Sequence, residues 1–242
     1  MNRYYIKQIQ FSPCTDPSYI SALPVVQYLN KTKRLDFQQS VTFLIGENGV
    51  GKSTLIEAIA ISAGFNAEGG SKNFTFSTKH TESNLSKYIS IVKEAHEKDG
   101  FFLRAESFYN VASNIEELDL NLAGYGGKSL HDQSHGESFM SLVQNRFRGN
   151  GLYILDEPEA ALSPLRQMAL LVEIKRLADH DSQLIIATHS PILLAYPGAR
   201  IYQIEENGIQ DVRYEESENY TVTKQFLDNP GRMMGYLFEN KE

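Results

Sequence analysis

Nine residues constrain this chain more than any others: "GENGVGKST", positions 46 to 54. Gly46, Gly51, Lys52 and Ser53 satisfy the spacing G-x-x-x-x-G-K-[ST] of a phosphate-binding loop. Glycines at these points let the backbone turn tightly and aim its N–H groups at phosphate oxygens. Lys52 adds a mobile positive charge for the β- and γ-phosphates of ATP, and Ser53 offers a hydroxyl to Mg2+. Glu47, Asn48, Gly49, Val50 and Thr54 complete the loop and are expected to share in nucleotide binding. The loop follows the β-type run "VTFLI" (41–45). It precedes Leu55, Ile56, Ile59, Ala60 and Ala63, an apolar set on one face of a helix that ends at Gly64, a C-cap residue.

The rest of the chain alternates in the same way, which predicts an α/β fold with a mostly parallel core sheet. Strands are expected at 4–11, 41–45, 101–105, 152–155 and 183–188, and helices at 52–63, 137–147 and 164–178. The runs at 152–155 and 184–187 are almost wholly apolar, as in parallel strands buried on both faces. A helix is expected around 84–97, a hairpin turning at Asn207-Gly208, and a helical stretch at 219–240 interrupted at Pro230-Gly231.

Two further stretches carry chemistry. "GLYILDEPEAALSP" (151–164) ends a buried strand in Asp156-Glu157. Asp156 is placed to hold Mg2+ opposite Ser53, and Glu157 to polarise the attacking water as a general base. "QLIIATHSPILLA" sets His189 after another buried strand, where an imidazole reaches a γ-phosphate or the lytic water. Ser190-Pro191, like Ser163-Pro164, makes an N-cap and first-turn pair. Between the phosphate loop and the first of these stretches, "SHGES" (134–138) opens a helix with the S-x-x-E box of Ser134 and Glu137. A helix N-terminus of this kind is also an anion site.

The order of phosphate loop, S-H-G-E-S, strand with Asp-Glu and strand with His resembles the ATP-binding-cassette (ABC) ATPase superfamily, over roughly residues 1 to 205. "SHGES" stands where that family has its signature motif, 22 residues before Asp156, and His189 lies 33 residues after Asp156. The resemblance implies one P-loop NTPase domain over 1–242, with Walker A and Walker B motifs and an N-terminal antiparallel β part. It also implies a small helical and signature subregion at about 66–148, with the hairpin and helices of 200–242 closing the chain. It implies too that two such heads pack head to tail around ATP, Ser134 donating its hydroxyl and Gly136 its backbone N–H to the nucleotide of the partner, with Glu137 beside them.

"SHGES" and "DEPEAALSP" look more like the soluble SMC, RecF and double-strand-break-repair ATPases than like transporter subunits. Only 80 residues separate Ser53 from Ser134, so no long coiled-coil arm intervenes. In "FFLRAESF", Glu106 stands where the family has the metal-binding glutamine. Tyr4, Phe11 and Tyr19 are the aromatic candidates for the adenine.

A net charge of −7 argues against a surface that coats nucleic acid. Residues 1–54 carry six Lys/Arg against three acids, and residues 205–242 nine acids against four bases. The lone Cys14 rules out an intrachain disulfide, and no run reaches the length of a membrane span, so a cytoplasmic protein is expected. Three functions fit: a soluble ATPase forming an ATP-sandwiched homodimer, the ATP-binding subunit of a transporter with its permease, or a low-turnover nucleotide sensor. DNA and a second protein both stand as candidate partners of the first.

Overall fold

Five parallel strands lie side by side in the computed structural model, which describes residues 4–16, 18–72, 83–106, 108 and 133–239. They are β3 (Val41–Gly46), β5 (Asp99–Arg104), β6 (Gly151–Asp156), β7 (Gln183–Ala187) and β8 (Arg200–Glu205), in the spatial order β5-β6-β7-β3-β8. β9 (Gly208–Val212) adds an antiparallel edge to β8. A second, antiparallel sheet has the order β2-β1-β4, formed by β1 (Gln8–Phe11), β2 (Arg34–Asp36) and β4 (Ile89–Val92). The α/β class and the antiparallel N-terminal part therefore stand as expected. Parts of the 66–148 subregion, residues 73–82 and 109–132, lie outside the described residues.

The central strands are apolar throughout because each face has its own core. Leu44, Leu152, Ile154, Ile185 and Ala187 point into one cluster; Phe43, Ile45, Tyr153, Leu155 and Ile186 point into the other. That is the two-residue alternation of a strand, with both sides buried. The first cluster holds α1 (Pro24–Thr32), α2 (Lys52–Ala63) and the small sheet. The second holds α3 (His135–Arg146), α4 (Pro164–Asp179) and the short α5 (Pro191–Leu194). Two helices, α6 (Glu218–Asp228) and α7 (Pro230–Glu239), end the chain, broken at Asn229 beside the expected Pro-Gly.

Three expectations change. The segment 84–97 is not a helix: a short 3-10 turn at Asn84–Tyr88 runs into β4, which pairs with β1 from Ile89↔Phe11 to Val92↔Gln8. The β-branched run Ile89-Ser-Ile-Val suits a half-buried sheet, and pairing across the chain overrides local helical preference. Helix α2 does not bury one face only. It packs between the small sheet and the core sheet, so Leu55, Ile56, Ala58, Ile59 and even Glu57 are all buried. The hairpin turns one residue earlier than expected, with Glu205 paired to Gly208 across Glu206-Asn207.

Candidate functional site

Strand register brings the chemistry to one edge. Arg104 closes β5 opposite Asp156, and Asp156 closes β6 opposite Ala187, two residues before His189. β7 in turn pairs with β3, which runs into the phosphate loop. Ligands of open α/β sheets bind at this C-terminal edge, where helix N-termini and strand ends meet.

The phosphate loop needs its glycines. At Gly46 the backbone has φ +143°, and a Cβ would lie 2.2 Å from the Ile204 carbonyl oxygen. Gly51, at φ +98°, caps α2 in a left-handed conformation, where a Cβ would lie 2.6 Å from Val25. Lys52 is buried and donates to the carbonyl oxygens of Gly46 at 2.7 Å and Glu47 at 2.8 Å. Burial pushes its ammonium below the usual lysine range, while Glu157, Asp156 and Glu159 draw it back up.

A cleft of about 400 Å³ lies over the loop, lined by Tyr19, Leu23, Asn48, Gly49, Gly51, Lys52, Ser53, Thr54 and Glu157. Glu47 and Val50 instead face a neighbouring cavity of about 470 Å³, shared with Gln203, Glu205, Glu206, Glu216 and Glu218. Tyr19 is two-thirds exposed at the cleft, whereas Phe11 is buried in the core and does not line the cleft.

Asp156 is 5% exposed, and burial pushes its carboxyl up to about 6, against the opposing pull of Arg104. Its Oδ1 is a buried oxygen with no hydrogen-bond partner among the described residues. An unpaired buried oxygen on an acid that the Ser53 hydroxyl also stabilises is a donor set that suits a hard divalent cation such as Mg2+. Glu157 follows in a left-handed backbone conformation, φ +50° and ψ +51°, rare for a non-glycine residue. The strain is held by its N–H, which donates to the Ala187 carbonyl at 2.9 Å.

His189 Nε2 stands 3.7 Å from Glu157 Oε1, and this nitrogen is shielded and makes no hydrogen bond among the described residues. Its backbone is fixed from two sides. The N–H donates to Glu159, and its carbonyl accepts from Asn219 Nδ2 at 2.9 Å, so α6 helps hold the histidine loop.

The signature residues stand elsewhere. Ser134 donates its N–H at 3.0 Å and its hydroxyl at 2.7 Å to Glu137 Oε2, the carboxylate half of the expected capping box. These bonds hold the Glu137 carboxyl below the usual carboxylate range. Arg166 of α4 donates to Ser134 Oγ at 3.3 Å and to Glu137 Oε1 at 3.1 Å. Ser134, Gly136 and Glu137 do not line the phosphate-loop cleft of the same chain. Neither does Glu106, whose side chain is largely exposed and reaches Arg104 Nη2 at 3.4 Å.

Sequence reasoning missed Arg104, Glu57, Glu159, Arg166 and Asn219. Glu159 lies in the DEPEAALSP stretch and Arg104 in FFLRAESF, but each of the five meets a partner from an element distant along the chain. The one local signal was an arginine two residues before Glu106 at a strand end.

Residues 25–150 match a family model described as an AAA domain, and residues 130–195 match one described as "AAA domain, putative AbiEii toxin, Type IV TA system". An uncharacterized ABC transporter ATP-binding protein of Haemophilus influenzae is 25% identical over 192 residues, 70% of this chain and 71% of that protein. The chromosome partition protein Smc of Methanocaldococcus jannaschii is 24% identical over 165 residues, 55% of this chain and 14% of that protein. Among solved structures, cbiO1 of Clostridium perfringens, part of the ABC transporter complex cbiONQ, shares the fold. The TM-score is 0.52 over 98% of this chain and 99% of that one, at 18% identity.

Proposed function

The chain belongs to the AAA-domain family, within the ABC-type P-loop ATPases, and from that premise we propose that it hydrolyses ATP with Mg2+ as part of an ATP-sandwiched, head-to-tail homodimer. One observation carries the reading: Glu157 lines the same cleft as Lys52 and Ser53, with His189 Nε2 at 3.7 Å. A phosphate held at Lys52 then has a carboxylate base and an imidazole on one side of it.

The residues divide the work. Backbone N–H groups of the loop and the Lys52 ammonium bind the β- and γ-phosphates. Releasing Lys52 from two loop carbonyls to a phosphate costs little, because one set of acceptors replaces another. Ser53 and Asp156 would hold Mg2+, which would supply charge neutralisation at the phosphate oxygens. Glu157 accepts a proton from the attacking water, and His189 orients that water or the γ-phosphate. Tyr19, the exposed aromatic at the cleft, is the platform for the adenine. Ser134 and Gly136, absent from their own chain's cleft, act on the nucleotide of the partner, and the single domain of 1–242 acts as one head.

The exposure of Ser134, His135 and Glu137 at the start of α3 supports that trans assignment, although Gly136 itself is buried against Arg166 and the Ala161 carbonyl. The test is the mass in solution of Glu157→Gln with and without Mg-ATP, by light scattering after gel filtration. A shift from about one chain mass to about two on adding ATP is expected. No shift with ATP bound overturns the homodimer and directs the search to a different partner.

A second reading, the ATP-binding subunit of a membrane transporter, draws support from the name of the Haemophilus influenzae relative. Among the described residues no helix is long and apolar enough to cross a membrane. Stable co-purification with a membrane-spanning protein favours this second reading.

A further inference from the structure

The acid proposed to hold Mg2+ already has a cation beside it. Arg104 Nε lies 3.4 Å from Asp156 Oδ2, too poorly aligned for a hydrogen bond. The same guanidinium donates from Nη1 to Glu57 Oε2 at 2.7 Å and from Nη2 to Glu106 Oε2 at 3.4 Å. Glu57 is buried on α2, one turn beyond Ser53, and its other oxygen accepts from the Ser83 N–H at 3.0 Å. One planar side chain therefore spans the phosphate-loop helix and the end of β6, the two elements that carry Ser53 and Asp156.

The charge on this group is permanent, since a guanidinium does not deprotonate in a protein. The firm partner is Glu57; toward Asp156 it offers charge without a satisfied bond. A divalent ion approaching Asp156 without a phosphate meets the Arg104 guanidinium, 3.4 Å from the carboxylate. Among the described residues no group of three His, Cys, Asp or Glu side chains is arranged to hold a metal. Ser53 and Asp156 thus offer two of the six ligands an octahedral Mg2+ needs, with a positive charge against them.

Resting on the Mg2+ reading above, we propose that Arg104 is a positioning residue and resident counter-cation of Asp156. It holds the carboxylate toward α2 in the nucleotide-free chain and makes divalent-cation binding conditional on the phosphates that arrive with the metal. A lysine retains the charge but not the fork that reaches Glu57 and Asp156 together.

The experiment measures Mn2+ binding to nucleotide-free protein, by electron paramagnetic resonance of the free ion, for wild type, Arg104→Gln, Arg104→Lys and Glu57→Gln. Arg104→Gln is expected to bind Mn2+ alone about tenfold more tightly than wild type, because Asp156 loses its competing charge. Arg104→Lys is expected to stay weak. Glu57→Gln is expected to weaken binding further, since the freed guanidinium turns onto Asp156. A purely structural role predicts no gain in any variant. Adding Asp156→Asn to Arg104→Gln is expected to abolish the gain.

A folded Arg104→Gln no tighter than wild type overturns the proposal, as does a gain that survives Asp156→Asn. If Arg104→Gln does not fold, tighter binding by Arg104→Lys or by Glu57→Gln overturns it equally. Mn2+ binding in the presence of ATP separates the two readings. Its absence from every variant sinks the metal reading and this inference together. Its presence, without the Arg104→Gln gain, sinks this inference alone.

Discussion

The imidazole of His189 and the carboxylate of Glu157 face each other at 3.7 Å, although 32 positions separate them in the chain. Each is held by backbone bonds to a neighbour: Glu157 through the Ala187 carbonyl, His189 through Glu159 and Asn219. His189→Ala should therefore leave the fold and ATP affinity nearly intact while kcat falls by about 10- to 100-fold. Single-turnover hydrolysis alongside equilibrium ATP binding checks this. A loss of affinity larger than the loss of rate would make His189 a binding or structural residue.

Tyr19 and Lys52 line one cleft but act on different ends of the nucleotide. Tyr19→Ala should weaken ATP by about 10-fold, a loss of roughly 1–1.5 kcal/mol of aromatic contact. It should weaken inorganic triphosphate hardly at all. Lys52→Ala should weaken both, by about 100-fold or more, because the phosphates lose a charge-assisted partner. Competition of both ligands against a fluorescent ATP analogue distinguishes the two patterns.

Gly136 is needed for close approach. A Cβ there would lie 2.4 Å from Arg166 Nη1 and 2.8 Å from the Ala161 carbonyl oxygen. The arginine can swing away; the backbone carbonyl, in the turn just after Glu157, cannot. Gly136→Ala should cost about 1–3 kcal/mol of stability through overpacking and push the start of α3 off that turn. A lowered urea midpoint, together with loss of the ATP-dependent mass shift in the Glu157→Gln background, is the expected result.

Asp156 should cost stability where it serves function. Its folded pKa of about 6 is above the ordinary 3.8, so the folded state holds the proton more tightly than the unfolded chain. The stabilising contribution of the protonated form is complete below pH 3.8 and is lost as pH rises through about 6. Asp156→Asn should therefore stabilise the metal-free protein at pH 8 by up to about 3 kcal/mol, roughly two pKa units at 1.36 kcal/mol each, a figure that already includes the pull of Arg104. The gain should shrink as pH falls to 5, and ATPase activity should be absent. Urea midpoints of both proteins across that range give the answer.

What could be read from the sequence was chemistry with short reach. The phosphate loop, the Ser163-Pro164 and Ser190-Pro191 helix starts, the Gly64 cap and the apolar strands at 152–155 and 184–187 each depend on dihedral preference or alternation within a few residues. Those features specified the α/β class and the order of motifs. Tertiary structure decided what depended on neighbours. Ile89–Val92 became a strand because β1 was there to pair with it, and α2 lost its polar face because a sheet covers each side. Arg104 met Asp156 only through the register of β5 on β6, and Glu57 only because α2 crosses above both strand ends. Contacts across 47 and 52 residues are fixed by the tertiary structure, and no local propensity encodes the partner of a side chain that the folded sheet alone brings within reach.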